Sequence, residues 1–330
     1  MVLALALLAP ASVRAQTGAP APVAIDVKAR PIPYFDQRDS ARVRFGSLEF
    51  LGGLVLTSSF RAFGGLSSLR LDPKGEHFTS LSDKGQWFTG RLTYRDGKLS
   101  GMDDVTSAPA LGADGRPLAA RGWFDTESLA FDGEAAYVGI ERVNQIVRFD
   151  HFGRDGLRAT AVPIPTPPLV RTLPFNKGLE ALVMVPRTLP LGGTLIALSE
   201  RGLDGAGNLL AFLIGGTSPG VFAVRRTDDY DISDATVLPS GALLILERKF
   251  SLMSGLGIRI RRIPLASIAP GQLVDGPSIF EADLGDEVDN MEGLDAHQSV
   301  GGDTILTMIS DDNFSPIQRT LLLQFKLIDP

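Results

Sequence analysis

The sequence contains no cysteine, so disulfide bonds and thiolate chemistry are excluded. Acidic residues outnumber basic ones, and the formal net charge of −6 leaves no basic excess of the kind that binds nucleic acid. Histidine is scarce, at three residues, and no nucleophile elbow, phosphate-binding loop or dinucleotide-binding glycine motif occurs. These absences argue against a serine-triad esterase, a P-loop NTPase and a Rossmann-type dehydrogenase.

What the chain does contain is apolar residues and turn formers. Of its 330 residues 44% are hydrophobic, and there are 36 glycines and 22 prolines. This composition is typical of a turn-rich globular β protein and not of a disordered chain. The length is sufficient for a large core, and a single repeat-built domain accounts for almost all of it.

A repeated acidic ending is the main pattern of the sequence. Five short apolar strands end in the acids Asp83, Glu141, Glu200, Glu247 and Asp311. Each is preceded by a strand whose opening is centred on Ser67, Glu127, Glu180, Asp234 or Glu292. Subtraction of these latter numbers gives intervals of 53 to 60 residues. Self-similarity at such a period indicates a propeller or another repeat array.

Turn sequences between the two strands of each repeat, such as Asp132-Gly133, predict β-hairpins. In a hairpin the opening residue and the ending residue lie side by side. The expected neighbours are therefore Glu127 with Glu141, Glu180 with Glu200, Asp234 with Glu247, and Glu292 with Asp311. Further strands follow in most repeats, and four strands in about 50 residues make a propeller blade.

Extra strands are predicted near both ends of the domain, over 42–58 and 320–327. A blade built from both termini would close the ring and remove open sheet edges. We therefore expect an all-β, six-bladed β-propeller whose ring is closed by N- and C-terminal strands. Five blades, with the terminal strands sharing a single blade, is the alternative.

The acids are expected to form one site, because equivalent positions of a propeller converge on its axial channel. Like charges raise each other's pKa, and three arrangements relieve this: a bound Ca²⁺, pairing with arginines, or water in a wide channel. The candidate metal ligands are Glu127, Glu141, Glu180, Glu200, Glu247, Glu292 and Asp311. A structural ring of salt bridges between blades is the competing interpretation.

Three of the acidic endings are followed directly by arginine, at Arg142, Arg201 and Arg248. Successive residues of a strand face opposite sides, so these side chains are expected in blade contacts unless the alternation fails at the strand end. If it fails, the guanidinium groups are candidates for binding a phosphate or carboxylate of the substrate. The fifth repeat is the richest in oxygen ligands, without EF-hand spacing: Glu287, Asp289, Asn290, Glu292, Asp311, Asp312 and Asn313.

The N-terminus has the features of an atypical export signal. An apolar run over 2–10 precedes Val13-Arg14-Ala15, a plausible cleavage motif, although a positive n-region is missing. The run is too short to span a bilayer. We expect a signal peptide over 1–15, a linker rich in Pro and Ala over 16–36, and a propeller over 37–330. A periplasmic or secreted location follows from this expectation.

Several of these segments resemble one bacterial family. The openings Asp125-Thr126-Glu127-Ser128-Leu129 and Asn176-Lys177-Gly178-Leu179-Glu180 carry the resemblance, as do Ile245-Leu246-Glu247-Arg248 and the run Asp289-Asn290-Met291-Glu292-Gly293 followed by Ile309-Ser310-Asp311-Asp312. They are similar to the phytase-like family, also described as esterase-like activity of phytase, over roughly 45–327. The resemblance implies a β-propeller, often exported, with a proposed phosphoester or ester hydrolase activity. Ser67 departs from the acidic pattern.

The leading functional hypothesis is an exported propeller whose acidic mouth binds Ca²⁺ and hydrolyses phosphate monoesters or related esters. Such a site works by polarising a phosphoryl or carbonyl oxygen. A non-catalytic propeller that binds a small ligand or a partner protein at the same mouth is the first alternative. A sugar-acid lactonase, with the same metal chemistry on a carbonyl, is the second.

Overall fold

The computed structural model describes residues 19–251 and 255–328. Their strands form five sheets, each of which is one blade of a propeller. Blade 1 contains Leu66–Leu71, His77–Ser82, Gln86–Arg95 and Lys98–Pro109, with Val23–Ala24 at its outer edge. Blade 2 contains Thr126–Asp132, Ala135–Ile140, Gln145–Phe149 and Thr160–Pro163, with Leu111–Gly112 parallel at the edge. Blade 3 contains Leu179–Met184, Thr194–Leu203, Leu209–Gly215 and Gly220–Val224, with Leu273–Val274 parallel at the edge.

Blade 4 contains Asp231–Val237, Ala242–Ser251, Gly255–Pro264 and Ser278–Asp283. Blade 5 contains Met291–Gln298, Thr304–Ser310, Thr320–Leu327, Leu48–Thr57 and Lys28–Ile32, and the short strand Arg44–Phe45 pairs with Leu48–Thr57. Helices are short connections in the described residues: the α-helix Phe152–Asp155 and the 3₁₀ turns Leu118–Arg121, Glu141–Val143, Gly156–Arg158, Pro168–Thr172 and Leu265–Ser267.

The ring has five blades, so the expected six-bladed propeller is wrong and its alternative is correct. The innermost strand of each blade contacts the innermost strands of its two neighbours, and blade 5 contacts blade 1. Thr320–Leu327 pairs with Thr304–Ser310 on one side and with Leu48–Thr57 on the other. Both terminal segments are therefore used within one blade, which closes the ring but leaves no strands for a sixth.

The domain also begins earlier than expected. Val23–Ala24 pairs with blade 1 and Lys28–Ile32 pairs with blade 5, although both lie in the stretch 16–36 that was expected to be a linker. These segments cover outer edges of two blades, and such coverage blocks edge-to-edge association. The expected signal peptide over 1–15 lies outside the described residues.

The apolar core is divided among the contacts between neighbouring blades. Alternate residues of each strand enter these layers, as the period of a β-strand requires. Trp87 of blade 1, for example, packs against Phe149 of blade 2 with ring centroids 5.4 Å apart. Phe35, Phe280 and Phe325 form an aromatic cluster between blades 4 and 5. Each fully buried aromatic or aliphatic side chain of this kind stabilises the fold by about 1.5–3 kcal/mol.

Every innermost strand has a β-bulge near its start. The bulge leaves one residue unpaired in each blade, namely Ser67, Glu127, Glu180, Ser233 and Glu292. A bulge inserts one residue into the strand, so it changes which side chains face the channel from that point onward. The same device in all five blades places one side chain per blade around the axis.

Arg70 blocks the channel beyond the bulges. Its guanidinium donates two hydrogen bonds to the carboxylate of Asp234, at 2.8 and 2.9 Å, and one each to the carbonyl oxygens of Leu182 and Leu294, at 3.1 and 3.0 Å. One side chain of blade 1 thereby binds blades 3, 4 and 5. A pocket of about 190 Å³ lies beside Arg70, and the larger cavity lies at the bulge end of the channel.

Candidate functional site

A cavity of about 800 Å³ occupies the open end of the channel. This volume lies within the usual range of small-molecule sites. The lining contains nine carboxyl groups and three basic side chains. The carboxyl groups belong to Asp83, Asp125, Glu127, Glu141, Glu180, Glu200, Asp289, Glu292 and Asp311, and the basic groups to Lys177, Arg248 and Arg319.

Two layers of side chains make up the floor and the mouth. The bulge residues Glu127, Glu180 and Glu292 form the inner layer, whereas the bulge serines of blades 1 and 4 are not part of the lining. In each blade the residue just before the bulge pairs with a residue of the second strand, and the outer layer comes from the residue that follows this partner. These residues are Asp83, Glu141, Glu200, Arg248 and Asp311, next to the paired residues Ser82, Ile140, Ser199, Glu247 and Ser310.

Backbone hydrogen bonds hold the outer layer in equivalent positions. The N–H groups of Asp83, Glu141, Glu200 and Asp311 donate to the carbonyl oxygens of the residues just before the innermost strands, which are Gly65, Asp125, Gly178 and Asn290. The bonds are 2.8–2.9 Å long. Four carboxylates therefore approach the axis for the same local reason in four blades.

Blade 4 differs by one residue at both positions, and two sequence-based predictions are wrong there. Ser233 and not Asp234 is the bulge residue, and Glu247 pairs with Ile232 just before the bulge, so Arg248 and not Glu247 takes the outer-layer position. Asp234 consequently points away from the mouth and binds Arg70. Glu247 is fully buried and accepts hydrogen bonds from Arg259 and Arg261 at 2.6–2.9 Å. At the position in blade 4 where an acid was expected, the ring therefore has Arg248.

Glu141, Glu180 and Glu200 form the tightest group of acids in the cavity. One carboxylate oxygen of each lies within 4.8 Å of the others. All three residues are buried, at 4% exposure each. Lys177 donates to both oxygens of Glu200 at 2.8 and 2.7 Å, and the Gly178 N–H donates to Glu141 Oε1 at 2.5 Å. Two of the three carboxylates therefore have fixed orientations.

A second group lies between blades 4 and 5. Arg248 Nη1 donates to Glu292 Oε1 and to Asn290 Oδ1, and Asn290 Nδ2 donates to the same Glu292 oxygen at 2.8 Å. The other oxygen, Glu292 Oε2, is buried and has no hydrogen-bond partner among the described residues. Asp83 Oδ1 is likewise buried and has no hydrogen-bond partner among the described residues. Buried carboxylate oxygens without partners are costly, and a bound cation or ligand is one explanation for them.

The electrostatics of the cavity favour proton or cation uptake. Burial, with the charge of Glu292 nearby, raises the pKa of Asp311 to about 9. Burial and Glu200 raise the pKa of Glu141 to about 7, and burial raises the pKa of Asp83 to about 6. The pKa values of Glu127 and Glu180 also lie well above their usual range, because both are buried near other acids. Perturbation of this kind concentrates at functional sites.

Only one of the three candidate arginines lines the cavity. Arg142 lies between the rings of Phe124 and Phe175, at 4.7 Å from each centroid, and 3.8 Å from Asp125. Arg201 donates to Asp231 of the next blade at 2.9 Å through Nε. Arg142 lies in the 3₁₀ turn Glu141–Val143 and links the segments that lead into blades 2 and 3. Arg201 lies in a strand and faces the next blade, as strand alternation predicts. Arg248 enters the cavity because it occupies the outer-layer position in blade 4.

Of the polar residues predicted to cluster in the fifth repeat, some line the cavity and two make contacts outside it. Glu292, Asp311, Asp289, Asn290 and Asn313 line the cavity. Asp312 instead accepts the Gly65 N–H at 2.9 Å and joins blade 5 to blade 1, and Glu287 pairs with Arg319 at 2.6 Å. Sequence reasoning did not select Lys177, although it adjoins the opening of the third repeat.

Carboxylate oxygens are the ligands that hard divalent cations prefer, and Ca²⁺ takes six to eight oxygens. Six of the seven predicted ligands line this cavity: Glu127, Glu141, Glu180, Glu200, Glu292 and Asp311. The residues therefore fit such an ion, with Glu141, Glu180 and Glu200 as the closest set of donors. No described helix is both long and apolar enough to cross a membrane.

The fold and the cavity define a five-bladed β-propeller with an acidic axial site. Residues 61–314 match the family model described as Phytase-like: Esterase-like activity of phytase. The chain belongs to this family. No sequence in the set of curated proteins matches it significantly.

Solved structures with a similar course of the chain include a glutaminyl cyclase from Myxococcus xanthus, at 12% identity and a TM-score of 0.39 over 81% of this chain and 92% of that one. A nidogen/laminin complex chain matches at 10% identity and a TM-score of 0.39, over 86% and 88%. U3-55K matches at 11% identity and a TM-score of 0.38, over 79% and 95%.

Proposed function

We propose that this protein is a divalent-cation-dependent hydrolase of phosphate monoesters or related esters, with the acidic cavity as its active site and Ca²⁺ as the candidate ion. The observation that carries the proposal is the group of Glu141, Glu180 and Glu200, whose ligand oxygens lie within 4.8 Å of one another. When bound there, the ion supplies positive charge that polarises a phosphoryl or carbonyl oxygen.

The remaining polar groups have roles consistent with ester hydrolysis. Lys177 holds Glu200, and Arg248 holds Glu292, so these two cations balance part of the negative charge. Asp83 is the candidate base, because its Oδ1 is buried without a hydrogen-bond partner among the described residues. In the proposed reaction a water oxygen bonds to phosphorus and gives one proton to this carboxylate. The phosphorus–oxygen bond to the alcohol breaks, and the leaving alkoxide takes a proton from solvent water, while Asp83 releases its proton to solvent and returns to the carboxylate.

The test is hydrolysis of 4-nitrophenyl phosphate and 4-nitrophenyl acetate after EDTA treatment and dialysis, with Ca²⁺, Mg²⁺ or Mn²⁺ then added back. We expect turnover that depends on the ion, and a loss of at least 100-fold in the Glu141→Gln plus Glu200→Gln variant. Glu134→Gln is the matched control, because Glu134 is exposed in the turn after Asp132, outside the cavity lining. Full turnover by the double variant would remove these residues from the mechanism. Preference for the acetate would move the proposal to carboxylic esters or lactones.

An exported location belongs to the same proposal. The apolar run over 2–10 and the motif Val13-Arg14-Ala15 support it. We expect the mature protein in a cell fractionation experiment to begin at Gln16, as read by N-terminal sequencing. A mature chain that retains residue 2 in the cytosolic fraction would contradict the proposal.

A further inference from the structure

The lining of the acidic cavity also contains five apolar side chains. They belong to Phe250, Leu256, Leu284, Val288 and Ile317, which we call the apolar wall. Phe250, Leu284 and Ile317 are exposed to 73%, 61% and 89%. Single exposed hydrophobic residues are ordinary, but several that line one cavity beside charged groups indicate a binding surface.

The wall is a consequence of the register in blade 4. Residues i and i+2 of a strand share a face and lie about 7 Å apart, so Phe250 stands next to Arg248 on the side of the cavity. Leu256 is its direct cross-strand partner, and Leu284 lies against Gly255 at the start of the same strand. Ile317 comes from the connection between two strands of blade 5. The wall therefore rises above Arg248 and Glu292.

The charge of the cavity restricts what can lie against this wall. Nine carboxyl groups face three basic groups, so the lining has six more acidic than basic side chains. All three basic side chains of the lining already pair with carboxylates, Lys177 with Glu200, Arg248 with Glu292 and Arg319 with Glu287. The lining therefore offers little unpaired positive charge to a ligand with several phosphate groups, whereas a ligand with one anionic or neutral reacting group needs less. Apolar atoms are the natural complement of the wall.

We propose that the ester hydrolysed in this cavity has an apolar leaving alcohol, aryl or alkyl, that binds against the apolar wall. This inference rests on the proposed function and adds the substrate class to it. The scissile phosphoryl or acyl group then faces Glu141, Glu180 and Glu200, and the alcohol departs along Phe250 and Ile317. Water supplies the oxygen that replaces the alcohol, so no further reactant is required.

The test compares kcat/KM for phenyl phosphate, glycerol 2-phosphate and inositol hexakisphosphate in the presence of the activating cation. Removing a phenyl-sized apolar area from water favours the aryl substrate by about 10- to 100-fold. In Phe250→Ser and Ile317→Ser we expect this preference to fall by about tenfold, because kcat/KM for phenyl phosphate decreases more than kcat/KM for glycerol 2-phosphate. Both side chains are exposed, so the variants are expected to fold. Val300→Ser is the matched control, because Val300 is exposed in the described structure and lies outside the cavity lining.

A binding measurement separates this inference from the hydrolase proposal. In calorimetry with Ca²⁺ present, phenylphosphonate is expected to bind at least tenfold more tightly than methylphosphonate, and Phe250→Ser to abolish the difference. If phenylphosphonate binds in this way but no ester is hydrolysed, the hydrolase proposal is refuted, and the apolar wall remains a binding surface for apolar groups. Equal binding of the two phosphonates, or equal hydrolysis of the three esters, would refute the wall. So would a dimer in light scattering that Phe250→Ser and Ile317→Ser convert to a monomer, since a second copy would then cover the surface.

Discussion

Replacing Glu180 by glutamine should separate a cation site from a merely structural ring of acids. Glu180 belongs to the group of three close glutamates, and its pKa is well above the usual range because it is buried near Glu200 and Glu127. Without an ion this carboxyl group therefore keeps its proton to a higher pH than an exposed glutamate does. Glutamine has nearly the same shape as the protonated acid and carries no charge, so Glu180→Gln should leave the metal-free protein as stable as the wild type or slightly more stable.

The same change should abolish the response to Ca²⁺. A ligand at 100 times its dissociation constant stabilises the folded state by about 2.7 kcal/mol. With an unfolding entropy of about 2.1 cal/mol/K per residue, this corresponds to an increase in Tm of about 4 °C for a chain of 330 residues. We expect this shift in the wild type by differential scanning calorimetry, and less than 1 °C in Glu180→Gln.

Glu247→Gln is the control, because sequence alone assigns Glu247 to the same ring. In the structure Glu247 is fully buried outside the cavity and accepts hydrogen bonds from Arg259 and Arg261. Removing one partner of a buried ion pair costs about 3–5 kcal/mol. Tm should fall by about 4–7 °C with and without Ca²⁺, while the Ca²⁺-dependent shift remains. A retained shift in Glu180→Gln, or its loss in Glu247→Gln, would refute the assignment of the two residues.

Two further predictions concern the pH dependence of stability and the ion pair of Arg70 in the channel. The raised pKa values of Glu141 and Asp311, to about 7 and about 9, mean that the folded metal-free protein binds protons that the unfolded chain releases near pH 4. The stability of the EDTA-treated protein should therefore fall as pH rises from 5 to 9, and saturating Ca²⁺ should weaken this dependence; a Tm that rises over this range without Ca²⁺ would contradict it. Arg70→Met should cost about 3–5 kcal/mol, because it leaves Asp234 as an unpaired buried carboxylate, and should keep the Ca²⁺ shift in Tm; an unchanged denaturant midpoint would disprove this.

Local sequence was sufficient to predict the propeller class and the hairpins. Turn residues and apolar alternation act over a few residues, so the strand pairs of blades 2, 3 and 5 follow directly from them. The predicted pairs Glu127 with Glu141, Glu180 with Glu200, and Glu292 with Asp311 all line the cavity. The number of blades could not be predicted in the same way, because it depends on where Thr320–Leu327 and Leu48–Thr57 pair across the whole chain.

Blade 4 shows most clearly where sequence reasoning ends. Alignment of acids places Asp234 and Glu247 in the ring, since both match the residue type of the other repeats. The pairing of Ile232 with Glu247 instead puts Ser233 at the bulge and Arg248 at the mouth. A shift of one residue reverses the face of every side chain on a strand. Burial of Asp234 against Arg70 and of Glu247 against Arg259 and Arg261 stabilises this register. Arg70 comes from blade 1, far away in the chain, and the two other arginines come from the neighbouring strand of blade 4.

The sequence by itself therefore determined that this chain is a β-propeller repeat with acids gathered at one end, because strand period and turn chemistry are local properties. Only the tertiary structure decided that there are five blades, that Arg248 takes the place of an acid, and that Arg142 and Arg201 join blades instead of entering the cavity. Register and ring closure depend on contacts between residues far apart in the chain, and residue type alone does not specify them.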